Sequence, residues 1–192
     1  MALLKHHGAP LRLRELLALG IHPETIQALK ADGFLESMSR GLYQIRDAEP
    51  VGEPDLVIVA KRVPGAVFCL LTALAFHDLT TQNPHEVHLA LKRGRRHPRI
   101  DHPPLRVHWW GQDALTKGVE RHHKDGTELL ITSPERSVAD AFRHRNELGL
   151  DLAIEALRAW RQRRGARPDD LLTAARVVRA EKLMRPYLEA LL

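Results

Sequence analysis

Cysteine is nearly absent from this chain of 192 residues, since Cys69 is the only one. An internal disulfide is therefore impossible, which suits a reducing cytoplasm. Cys69 lies in the apolar run 67–71. We interpret it as a small core residue, because no neighbour in the sequence would lower the pKa of its thiol.

Long hydrophobic runs are also lacking. No apolar segment approaches the ~20 residues of a membrane-spanning helix. Residues 1–7 do not contain the apolar region of a signal peptide. We therefore expect a soluble cytoplasmic protein with no membrane partner.

Recognisable catalytic motifs are missing as well. The sequence contains neither a Gly-x-x-x-x-Gly-Lys-[Ser/Thr] phosphate loop nor a Gly-x-Ser-x-Gly nucleophile elbow. A nuclease core of the usual kind needs an acidic residue two positions before a strand lysine, whereas Ala90 precedes Lys92. We expect no catalytic residue and no cofactor, so the chain is predicted not to be an enzyme, and a metal-dependent nuclease is the least favoured alternative.

Histidine is plentiful, with twelve residues, but its spacing does not predict a metal site. A single cysteine excludes a Cys/His zinc cage. His85 and His88 are three apart in a predicted strand and would face opposite sides, as would the adjacent His122 and His123. We interpret all twelve histidines as exposed or partly packed and expect no bound metal.

The charge balance is moderately basic. Lysine and arginine number 29 and aspartate and glutamate 24, giving a net charge of +5 and a pI near 9.7. This excess is compatible with a nucleic-acid partner and equally with a merely basic protein. The apolar content of 44% allows a real core.

The first local pattern predicts two short helices joined by a tight turn. Residues 11–19 form the first, with Leu13, Leu16, Leu17 and Leu19 on one apolar stripe. Gly20 ends it. The second runs from Pro23 to Ala31, because proline favours the first helical position.

The second helix has the features of a DNA recognition helix. Recognition helices carry polar side chains where they reach base edges in the major groove. Ile26 and Leu29 would face the first helix. The outward positions would be His22, Thr25, Gln27, Ala28 and Lys30.

A predicted β-hairpin follows, with strands at 34–38 and 42–45 and the turn Ser39-Arg40-Gly41. A basic residue at the tip of such a hairpin is typical of a wing, and Arg40 could reach a phosphate or the minor groove. Together these elements predict a winged helix-turn-helix over residues 1–46. Arg12 and Arg14 are predicted to contact the phosphate backbone of the DNA.

Residues 47–55 are rich in acid, proline and glycine and are predicted to form a linker. Residues 56–192 predict a larger α+β domain. Helices at 56–62 and 70–78 precede strands at 86–91 and 105–110 and a hairpin around Asp125-Gly126. Ser133-Pro134 starts the first helix of a C-terminal bundle.

Basic residues cluster twice in this second domain. One cluster lies near the end of a predicted helix, at Arg158, Arg161, Arg163, Arg164 and Arg167. The other forms a secondary basic surface in one loop, at Lys92, Arg93, Arg95, Arg96 and Arg99. Such runs are usually solvated faces, and a contact to DNA or to an acidic protein is the alternative.

Several strings resemble the AbiEi-type antitoxins, the transcriptional regulators of type IV toxin–antitoxin systems. They are Gly33-Phe34-Leu35, Ser39-Arg40-Gly41-Leu42-Tyr43, residues 63–82 (VPGAVFCLLTALAFHDLTTQ), residues 133–140 (SPERSVAD) and residues 184–188 (MRPYL). The resemblance extends over nearly the whole chain.

The resemblance implies a winged helix that binds inverted repeats of double-stranded DNA in the promoter of its own operon. It further implies a C-terminal domain with antitoxin activity against a nucleotidyltransferase-like toxin, with which direct contact is not required. The alternative is a protein-interaction module that binds the toxin or another acidic partner directly and without catalysis.

Overall fold

The computed structural model describes residues 10–46 and 52–191. It is a mixed α+β protein whose C-terminal part is helical. The chain divides into two compact units. The N-terminal unit comprises Met1–Pro64, Pro98–Pro103 and His122–Leu129, and the C-terminal unit comprises Gly65–His97, Pro104–Arg121 and Leu130–Leu192.

The described N-terminal elements are three short strands and three short helices. They are β1 (Leu11–Arg12), α1 (Leu13–Ala18), α2 (Pro23–Ala31), β2 (Leu35–Ser39), β3 (Leu42–Ile45) and α3 (Pro54–Arg62). The strands form a sheet in the order β1-β3-β2, and both pairings are antiparallel. Residues 47–51 of the predicted linker lie outside the described residues, and its last two residues already belong to α3.

The first helix is shorter than predicted. Leu11 and Arg12 are not helical but pair with Tyr43 and Leu42 of β3. The N–H of Leu13 then donates to the carbonyl of Gly41 at 2.9 Å. This strand pairing depends on residues some thirty positions away, so the local helical pattern did not indicate it.

The core of the N-terminal unit centres on Leu16, Ile26 and Leu35, which are all buried. The predicted apolar stripe of α1 is wrong at two positions, because Leu13 is 38% exposed and Leu17 is 43% exposed. A core of this size covers only a narrow part of a six-residue helix. The remaining leucines stay at the surface.

The turn between the two helices follows the sequence closely. Gly20 has a φ of +79°. Its N–H donates to the carbonyl of Leu17, and the N–H of Ile21 donates to that of Leu16, each at 3.0 Å. This Schellman arrangement ends α1 and satisfies its last carbonyls. Pro23 then begins α2, whose predicted bounds are confirmed.

The larger sheet combines β4 (Val67–Phe68), β5 (Val87–Lys92), β6 (Leu105–Trp110), β7 (Val119–Lys124) and β8 (Thr127–Thr132) in the order β6-β5-β4-β8-β7. Strand β5 is parallel to β6 and antiparallel to β4, and β4 is parallel to β8. The predicted hairpin turn is confirmed, since Asp125 and Gly126 both have positive φ.

The helices of the C-terminal unit are α4 (Leu70–Phe76), a 3₁₀ turn (Gln112–Leu115), α5 (Pro134–Arg143), α6 (Arg145–Leu148), α7 (Leu150–Gln162), α8 (Pro168–Val177) and α9 (Glu181–Glu189). Ser133 caps α5 as predicted, because its hydroxyl accepts from the N–H of Arg136. Phe142, Leu157, Trp160 and Met184 are buried in the main core. Cys69 is also buried, and burial raises the pKa of its thiol.

Among the described residues, no helix combines the length and the apolar character that crossing a membrane requires.

Candidate nucleic-acid interface

Helix α2 presents a polar face to solvent. His22, Thr25 and Gln27 are exposed, as is the small Ala28, whereas Ile26 on the opposite side is buried. Because Pro23 fills the first helical position, the leading end of the helix is sharply defined. The exposed side chains are short and can approach a ligand without obstruction from their own helix.

Lys30 differs from its prediction as an outward side chain. It is half-buried, and its Nζ lies 5.8 Å from the centroid of the Tyr43 ring. This is a cation–π distance. The ammonium is therefore partly engaged by the hairpin, and Lys30 is less available than Thr25 or Gln27.

The turn of the β2–β3 hairpin adjoins an arginine-rich cleft. Arg40 is exposed at the turn, and Gly41 beside it has a φ of +71°. The cleft has a volume of about 360 Å³. Its lining consists of Arg12, Leu13, Arg14, Leu17, Arg40, Gly41 and Arg62. We call this feature the arginine cleft.

Arg62 joins the three arginines that the sequence had singled out. Its Nη1 donates to the carbonyl of Arg40, and its Nη2 donates to the carbonyl of Arg99 at 3.4 Å. Arg62 ends α3, 22 residues after Arg40. A basic residue at a helix end was the only signal for it, and nothing local indicated its position beside the hairpin.

The arginines repel one another within the cleft. Partial burial lowers the pKa of Arg12. The positive charges of Arg14 and Arg62 also lower it, whereas the negative charge of Glu15 raises it. A Glu15 carboxylate oxygen accepts from the N–H of Arg12 at 2.7 Å and lies 3.9 Å from the Nζ of Lys61. An anion bound in the cleft would relieve this repulsion.

The secondary basic surface is divided between the two units. Lys92, Arg93, Arg95 and Arg96 are exposed in the C-terminal unit, whereas Arg99 belongs to the N-terminal unit and contacts Arg62 through its carbonyl. The five residues are therefore not a single surface of one unit.

Two histidines depart from the prediction that all twelve are exposed or partly packed. His77 is 6% exposed, and its Nε2 donates to the carbonyl of Thr132 at 2.8 Å. His88 is 4% exposed, and its Nδ1 lies 3.4 Å from the Nε2 of His108. His88 is buried because it lies in a buried strand between hydrophobic neighbours. The three-residue spacing between His85 and His88 did not indicate this burial.

Burial, followed by the charge of the neighbouring His108, lowers the pKa of His88 to about 4, with Glu86 opposing the shift. The pKa of His108 is lowered too, again chiefly by burial. Both imidazoles are thus predominantly neutral at pH 7.

Asp140 forms a buried ion pair with Arg136 within helix α5. Its carboxylate accepts from the Nε of Arg136 at 3.0 Å, and the two side chains are 3% and 2% exposed. Desolvation raises the pKa of Asp140, and the Arg136 charge and hydrogen bond oppose that shift.

No family model matches the chain, and no curated protein does either. A solved structure does match, the crystal structure of the RV2827C protein from Mycobacterium tuberculosis. The two share 13% sequence identity with a TM-score of 0.55, and the alignment covers 98% of this chain and 78% of that one. At this identity the similarity shows a shared fold alone.

Proposed function

We propose that the N-terminal unit contains a winged helix-turn-helix that binds double-stranded DNA. The observation that carries the proposal is the arginine cleft next to the hairpin turn, in the same unit as a helix with an exposed polar face. Phosphate oxygens are bound by arginine, and bases are read by short polar side chains on a helix.

The connection between the elements supports this proposal. Helix α1, a four-residue turn and helix α2 are followed at once by an antiparallel hairpin. In winged helix-turn-helix proteins the second helix enters the major groove and the first crosses the backbone. Thr25, Gln27 and His22 would then meet base edges, and Arg12 and Arg14 would meet phosphates.

The hairpin would act as the wing. Arg40 is exposed at its turn, and the carbonyl of Arg40 is held by Arg62. Its guanidinium would contact a phosphate or the minor groove. The hydrogen bond from Arg62 restricts the backbone from which that side chain extends.

The wider role that we propose is transcriptional autorepression in a type IV toxin–antitoxin system, as the resemblance to AbiEi-type antitoxins implies. The chain would bind inverted repeats in its own promoter in the cytoplasm and counteract a nucleotidyltransferase-like toxin. The antitoxin activity would belong to the C-terminal unit, and no catalytic step is required of it.

The test is a gel shift with the DNA upstream of the chain's own gene and a scrambled duplex of equal length. We expect a specific complex that weakens steeply with salt, because phosphate contacts release counterions. Arg40→Ala should weaken it about tenfold. Arg161→Ala is the matched control, because Arg161 is exposed on α7 of the C-terminal unit. A wild-type protein that binds the two duplexes equally would overturn the proposal.

A second candidate function is direct protein docking, favoured by the exposed Leu13 and Leu17 in the arginine cleft. Apolar side chains among arginines suit an acidic amphipathic partner segment. Under this hypothesis Leu17→Ser should abolish capture of the co-expressed toxin, and the wild-type chain should form no promoter-specific complex. Under the leading hypothesis no stable toxin complex is recovered even with the wild-type chain.

A further inference from the structure

A second cleft, of about 170 Å³, lies entirely in the C-terminal unit. It is lined by Arg93, Trp109, Trp110, Gly111, Ala114, Arg136, Asp140, Arg143, His144, Val177 and Val178. We call it the Trp–Arg cleft. It combines several cationic side chains with two indole rings, and the proposed DNA-binding function uses none of them.

The buried side of the Trp–Arg cleft is formed by the guanidinium of Arg136, which its partners hold in one position. Arg136 is 2% exposed and forms its ion pair with Asp140. Its Nη1 donates to the carbonyl of Lys117 at 2.6 Å, and its guanidinium carbon lies 5.0 Å from the centroid of the Trp110 ring. Asp140 is therefore compensated within the cleft and does not repel an incoming anion at full strength.

The exposed side of the cleft carries cations that are free to bind. Arg93 and Arg143 are exposed, and neither side chain is held by a hydrogen bond or an ion pair from any residue in 10–46 or 52–191. Glu147, which lies 3.7 Å from His144 of the cleft, is already engaged, since its carboxylate accepts from Arg106 at 2.7 Å.

Trp109 adds an aromatic surface. It is 44% exposed, unusually high for so large an apolar side chain. Its Nε1 donates to the carbonyl of Arg95 at 3.1 Å, and the His97 ring lies 6.1 Å from it at a tilt. The indole is thus fixed in orientation while part of it still meets solvent.

We propose that the Trp–Arg cleft binds a nucleotide, with its phosphate between Arg93 and Arg143 and its base on Trp109. Arginine binds phosphate through two parallel N–H donors, and an exposed indole stacks on a base. The volume is below the ~300 Å³ of an ordinary small-molecule pocket. The cleft therefore accommodates the phosphate, and the base extends outward along the indole.

The test uses the full chain without DNA, titrated with AMP, inorganic phosphate or adenosine and followed by calorimetry. We expect AMP to bind more tightly than either fragment, because both halves of the cleft contribute. Phosphate binding as tightly as AMP would overturn the stacking role of Trp109. Adenosine binding as tightly as AMP would overturn the role of the arginines.

Substitutions then assign the binding to this cleft. Arg143→Ala should weaken AMP binding at least tenfold, and Trp109→Ala should make AMP no tighter than phosphate. Arg161→Ala removes the same charge outside the cleft and should leave the affinity unchanged. Circular dichroism verifies that each variant is folded, and Arg93→Gln provides a second substitution should Arg143→Ala unfold. Equal losses for Arg143→Ala and Arg161→Ala, or no AMP binding at millimolar concentration, would overturn the proposal.

Discussion

The arginine cleft of the N-terminal unit and the buried Arg136–Asp140 pair of the C-terminal unit use arginine in opposite ways. In the N-terminal unit Arg12, Arg14 and Arg40 surround an open cleft, and Arg14 and Arg40 are exposed. In the C-terminal unit Arg136 is 2% exposed, paired with Asp140 and packed against Trp110. The first arrangement leaves positive charge available to a ligand, and the second neutralises it within the fold.

The difference shows that solvent exposure decides whether an arginine stabilises the fold or remains available to a ligand. A guanidinium removed from water needs a carboxylate and hydrogen bonds to offset its desolvation. One at the surface needs no such partner and contributes to the field that attracts phosphate. Substitutions at the buried Arg136–Asp140 pair should therefore affect folding, and substitutions of the arginines around the open cleft should affect binding.

The largest effect is expected for Asp140→Asn, which leaves Arg136 buried without a compensating charge. The free energy of unfolding should fall by about 3–5 kcal/mol, measured by urea denaturation. The double variant Arg136→Met/Asp140→Leu should recover most of it, because both charges are then removed. A loss below about 0.5 kcal/mol, the size of a typical surface substitution, would contradict the comparison.

The next effect is a loss of stability in acid that originates in the C-terminal unit. Burial and His108 lower the pKa of His88 from 6.5 to about 4, so the unfolded chain binds this proton more readily. The contribution of the neutral His88 to the free energy of unfolding is complete above pH 6.5. It is lost as the pH falls toward 4, and the loss amounts to up to about 3 kcal/mol. Urea denaturation between pH 7.5 and 4.5 measures it.

His88→Gln isolates that contribution from the protonation of carboxylates. The variant should lose less stability than the wild type over the same pH interval, since it has no imidazole to protonate. Identical pH dependence in the two proteins would show that His88 is not the group responsible.

A smaller effect is expected at α2 of the N-terminal unit. Under the proposed function Gln27→Ala should reduce discrimination at one base pair by about 1–3 kcal/mol. Gel shifts with single-base variants of the bound promoter segment measure this preference. Gln82→Ala is the matched control, because Gln82 is an exposed glutamine of the C-terminal unit. An unchanged preference would remove Gln27 from the interface.

The smallest effect is expected for Arg14→Ala. Loss of one phosphate contact should weaken binding to specific and to non-specific DNA almost equally. It should also reduce the magnitude of the slope of log K against log[salt] by about 0.9. Folding should be unaffected, since Arg14 is exposed. A selective loss for the specific duplex would mean that Arg14 contacts a base instead.

The sequence by itself determined the features that depend on local chemistry. Pro23 began α2, Gly20 ended α1, the Asp125-Gly126 turn formed a hairpin and Ser133 capped α5. Each depends on a restricted φ or on a side chain bonded to a nearby backbone group. Such preferences act within a few residues and can be read in order along the chain.

Only the tertiary structure decided which side chains meet. Pairing with β3 converted the predicted start of α1 into a strand, and a small core left Leu13 and Leu17 exposed. Long-range packing also buried His88 and brought Arg62 to the carbonyl of Arg40. The arginine cleft could thus be predicted in part, at Arg12, Arg14 and Arg40, but its completion by Arg62 depended on contacts between residues far apart in the chain.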